Sequence, residues 1–205
     1  VPQVLQIAFT AAVLDESVVN TVLIGIATKY DTSALIRDAI VSSIGGKEFS
    51  FMQNLLASAE WQDQKPSREI FLETLTSTVV RKSDAKEVKK LLAMLNVDKS
   101  SFGWREKTIL TGMSIQGYGG KLPPLKLPAE PGILKRRDLG IADSQLQGLA
   151  ALFEWPGSIA RDTTQQDSVA LDEKEKELFA VGRKFYLSSC SGCHGNDGGG
   201  LNRFA

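Results

Sequence analysis

A chain of 205 residues suits one large or two small domains, and 42% hydrophobic with 23% charged residues is ordinary globular usage, enough to bury a core. The 24 basic residues balance 24 acidic ones, which argues against a nucleic-acid partner and against general attraction to anionic membranes. No run of about 18 apolar residues is present to span a bilayer. The visible N-terminus shows no basic region leading into an apolar one, but Val1 is not an initiator methionine, so no compartment follows from it.

The first hundred or so residues read as successive amphipathic helices with short breaks. Val18, Val19, Val22, Leu23, Ile26 and Ala27 fall on one broad helical stripe. Asp31, Thr32 and Ser33 then offer short polar side chains to cap a helix carrying Leu35, Ile36, Ala39 and Ile40, which Gly45-Gly46 ends. Further helices are predicted from Phe49 to Trp61, from Ser67 to Val80 and from Asp84 to Leu95, with Pro66 at a helix start. The last carries Val88, Leu91, Leu92 and Leu95 at i, i+3, i+4 and i+7. An all-α chain of helix pairs with tight links predicts HEAT-like helical repeats, an α-solenoid, over 1–116; an irregular bundle would give the same periodicity. The segment Asp31 to Ile44 resembles the second helix of a HEAT repeat, with Arg37 inside it.

From Gly117 the composition changes. Gly117, Gly119, Gly120, Pro123, Pro124, Pro128, Pro131 and Gly132 predict an extended connection over 117–168. Leu146, Leu149, Ala150 and Phe153 mark one short helix within it, stopped by Trp155-Pro156-Gly157. The polar stretch Arg161 to Ser168 is read as a domain boundary. Leu171 to Ser189 then predicts a helix whose first turns hold Asp172, Glu173, Glu175 and Glu177, where negative charge complements the helix dipole. Lys174, Lys176, Arg183 and Lys184 alternate with carboxylates and read as a solvated face, and Trp61, Trp104 and Trp155 read as packing aromatics.

Immediately after this helix come the only two cysteines and the only histidine of the chain, Cys190, Cys193 and His194, as C-x-x-C-H. This is the attachment pattern of c-type haem: two thiols reach the two vinyl groups of one porphyrin, and the adjacent imidazole takes the iron. Cys190 and Cys193 are therefore candidate haem thioethers and His194 the candidate proximal ligand. Two other readings stay open. The cysteines could form a dithiol or disulfide, although a thioredoxin-like pair would follow a strand, or a weak metal site, although structural zinc needs a fourth ligand. On those readings the chain is a helical-repeat interaction scaffold.

The first helix before C-x-x-C-H, with Gly182 and Tyr186 in it and Gly195 to Gly200 after it, resembles the start of a class I cytochrome c domain. Met52, Met94 and Met113 all precede the motif, so the chain is expected to stop inside that domain, at 169–205, with its distal ligand and partner helix missing. With Phe153-Glu154-Trp155-Pro156-Gly157 and the repeats upstream, the order of segments resembles the C-terminal part of large bacterial membrane-bound dehydrogenase-like proteins. Those join a β-propeller, HEAT repeats and a terminal cytochrome c domain. The resemblance implies covalent haem c and an electron-transfer role outside the cytoplasm, in the periplasm. It also implies a dehydrogenase domain or redox protein as partner; no catalytic residue is visible in the segment itself.

Overall fold

The computed structural model describes residues 2–11, 16–95, 101–118, 122–136, 140–158 and 172–189. Among them the chain is all-α apart from one short strand pair, and it divides into two compact units, Val1–Arg161 and Asp162–Ala205.

In the first unit the helices are α1 (Pro2–Thr10), α2 (Glu16–Lys29), α3 (Ala34–Ser43), α4 (Glu48–Ala57), α5 (Pro66–Arg81), α6 (Ala85–Met94), α7 (Trp104–Tyr118) and α8 (Asp143–Ala150). Their starts follow local chemistry. The Ser33 hydroxyl accepts from the Ile36 amide at 3.4 Å and opens α3, whose Ile36, Ala39 and Ile40 are buried. The Asp84 carboxylate accepts from the amides of Lys86 and Glu87 at 2.8 and 3.0 Å and opens α6, which buries Val88 and Leu91. Pro66 occupies the first turn of α5, where its missing N–H costs nothing.

Where a single helix was expected from Phe49 to Trp61, the chain breaks at Ser58. Ser58 leaves the helical region with φ −64° and ψ 132°, and its hydroxyl caps the 3-10 turn Ala59–Trp61. The turn swings the indole of Trp61 into the core, where it is fully buried. Two further helices, α1 and α7, were not individually predicted. In α7, Ile109, Leu110 and Met113 are buried together with Thr108 and Ser114, so polar and apolar residues alternate around a helix that is enclosed on several sides.

Packing runs through a chain of neighbours. α1 lies on α3, and the Ser43 hydroxyl donates to the Ala8 carbonyl between them. α2 lies against α3 and α4, α4 against α5, α5 against α6 and α7, and α7 against α8. At the centre, Phe71 meets Phe51 and Trp61 edge-on, at centroid distances of 6.5 and 6.0 Å. α7 comes close to both its partners because it presents glycine at the crossings. A Cβ on Gly112 would lie 2.8 Å from Thr76 Cβ and 2.9 Å from the Glu73 carbonyl oxygen on α5. One on Gly117 would lie 1.7 Å from the Gly148 carbonyl oxygen on α8. Hydrogen bonds use the same closeness: Ser77 Oγ donates to the Gly112 carbonyl at 3.1 Å, and Ser114 Oγ to the Gln145 carbonyl at 2.8 Å.

The described part of the Pro- and Gly-rich connection packs on this core. Leu125–Lys126 (β1) and Phe153–Glu154 (β2) pair in parallel, with Leu125 opposite Phe153 and Lys126 opposite Glu154. α8 supplies the crossover that parallel strands require. Phe153, expected on the short helix, thus lies in a strand: α8 ends at Ala150, and the Leu125 amide reaches the Leu152 carbonyl at 2.8 Å. Ile133 and Leu134, in the 3-10 turn Gly132–Lys135, are buried, and Leu122, Leu125 and Leu127 are partly so. No helix among the described residues is long and apolar enough to cross a membrane.

Of the second unit, α9 (Glu173–Ser189) is described. It opens on a reciprocal cap, with Asp172 Oδ1 accepting from the Glu175 amide at 2.8 Å and Glu175 Oε2 from the Asp172 amide at 2.9 Å.

The glycine crossings generate a direct prediction. Gly117→Ala should destabilise the protein by about 3 kcal/mol or more in chemical denaturation, since its methyl meets backbone that cannot rotate away. Gly25→Ala, where a Cβ meets nothing within 4 Å, should leave stability unchanged or slightly raised.

Candidate functional site

Cys190, Cys193 and His194 lie outside the described residues, as do Gly195 to Gly200; the structure describes the helix that leads to them. α9 runs to Ser189, directly before Cys190. Its Leu178, Phe179, Val181, Phe185 and Leu187 are exposed, and its first turns carry the carboxylates of Glu173 and Glu175. Lys176 pairs with Glu173 at 2.7 Å on a solvated surface, as the alternation of charges implies. Among the described residues no group of three or more His, Cys, Asp or Glu side chains could hold a metal ion.

The first unit contains a different constellation, centred on Arg68. Its side chain is 3% exposed, and a guanidinium cannot shed its charge on burial, so it must be fully partnered. Nε faces Asp31 Oδ2 at 3.3 Å, and the terminal nitrogen donates to the Glu60 carbonyl at 2.8 Å and to Asp63. The guanidinium carbon sits 5.1 Å from the centroid of the Trp61 ring. Lys65 closes the group from the solvent side, 3.5 Å from Asp31 and 3.4 Å from Asp63. Arg37 donates to the Asp31 carbonyl at 2.6 Å, and Arg105 of α7 donates to the Trp61 carbonyl. The Trp61 indole Nε1 has no hydrogen-bond partner among the described residues.

Desolvation alone would raise the Asp63 carboxyl, but the Lys65 hydrogen bond and the charges of Arg68 and Lys65 outweigh it and hold the carboxyl below its ordinary value. Asp31 to Arg68 spans 37 positions and no local motif links them. The sequence did hold one signal: Arg68 lies in the first turn of α5, where a cation opposes the helix dipole and so needs a dedicated partner.

All the partners of Arg68 are carboxylates, carbonyls or an aromatic face, and none is a nucleophile poised on a base. The arrangement clamps segments together. Trp61 and Trp104 belong to it, the latter donating from Nε1 to the Gln62 carbonyl at 3.4 Å. Trp155 instead borders a shallow cavity with Glu130, Leu134, Asp143, Leu146 and Gln147. A second, more apolar groove of ≈ 360 Å³ lies between the α5–α6 turn and β1.

Arg68→Ala should cost about 3 kcal/mol in denaturant midpoint analysis, because Asp31 is left part-buried with only the more exposed Lys65 against it, whereas Lys65→Ala should cost under about 1 kcal/mol. Asp63 has a lowered pKa when folded, so its contribution is complete above the ordinary carboxylate range and fades as pH falls through that lowered value. A stability-versus-pH profile of Asp63→Asn should accordingly show a flatter acid limb than the parent. No family model, no curated protein and no solved structure matches the chain, so its functional reading rests on its own residues.

Proposed function

We propose that the chain is an electron-transfer module: a HEAT-like helical-repeat scaffold followed by the start of a c-type cytochrome domain. The observation that carries the reading is C-x-x-C-H at Cys190, Cys193 and His194, in a chain with no other cysteine or histidine. The donor set fits haem c: two thiols for the two vinyl groups and one imidazole for the iron. It does not fit a closed zinc site, which takes four ligands. Bound haem would supply a one-electron iron couple. The chain's own part would be to hold the porphyrin through Cys190 and Cys193 and the iron through His194.

The preceding helix supports the reading. α9 caps itself through Asp172 and Glu175, so it needs no outside contact to start. It then carries exposed Leu178, Phe179, Val181 and Phe185 towards the motif, an apolar surface of the kind that a haem domain covers. For the scaffold, support comes from the helix pairs α2/α3 and α4/α5. It comes also from Asp31, which meets Arg37 of its own pair through its carbonyl and Arg68 of the next pair through its carboxylate. The partner is a dehydrogenase domain or a redox protein, and the setting is the periplasm or another extracytoplasmic compartment where such haem is attached.

The test is to produce the full-length gene product in a host that attaches c-type haem and to record the pyridine haemochrome spectrum after denaturation. A c-type band that persists through denaturation and is lost in Cys190→Ser/Cys193→Ser is the expected result. Absence of covalent haem from matured protein would overturn the reading and leave a helical scaffold with a cysteine pair.

A further inference from the structure

We draw no further inference here: the strongest candidate, the exposed apolar patch that Leu178, Phe179, Val181 and Phe185 make on α9, carries nothing because nothing in the structure shows what covers it.

Discussion

A guanidinium that cannot lose its charge has been placed where water hardly reaches it, and much of the first unit is arranged to satisfy it. Arg68 draws Asp31 from the α2–α3 turn, the Glu60 carbonyl and Asp63 from the segment after α4, and the face of Trp61 around itself at the start of α5. Arg105 then ties α7 to the Trp61 carbonyl. Segments scattered from Asp31 to Arg105 are thereby fixed around one group. Such a buried pair adds little net stability over an apolar replacement, because desolvation offsets most of the attraction. Its effect is geometric: a misplaced turn would leave a charge or an indole without its neighbour.

The apolar core supplies the stabilisation that the ion cluster does not. Phe51, Phe71, Trp61, Leu55, Leu72 and Leu75 are fully or almost fully buried, and burial of such side chains contributes about 1.5–3 kcal/mol each. α7 extends this core to α8 because glycine at positions 112 and 117 lets backbones approach closely. The same closeness makes Thr108 and Ser114 useful inside a helix, since their hydroxyls return to carbonyls of the preceding turn at 2.8 and 2.7 Å and Ser114 also reaches α8.

Apart from α1, which buries only Ala8, elements with one buried face were legible in the sequence, and the enclosed α7 was not. The stripe Val88, Leu91, Leu92 and Leu95 announces α6 because its other face is lysine and glutamate. α7 hides because threonine, serine and glycine share its buried surface with Ile109 and Met113. Ser58 escaped notice because apolar residues continue across it to Trp61, although only a break there lets the indole turn inward. Phe153 fits a helical spacing from Leu146 and Leu149 and also fits a short strand; pairing with Leu125, 28 positions earlier, decides between them, and no local pattern contains that information. The Arg68 cluster was invisible as a cluster for the same reason. Its opposite is C-x-x-C-H, the proposed haem motif, whose five consecutive residues are wholly local and are readable with no knowledge of the fold.

In the proposed function both cysteines that follow α9, Cys190 and Cys193, carry one porphyrin. Peptide mapping by mass spectrometry of the matured full-length protein tests this most directly. A single peptide containing Cys190 and Cys193, bearing one haem through two thioether bonds and no free thiol, is the result predicted. The same peptide recovered with a disulfide or two alkylated thiols, and no haem mass, would contradict it.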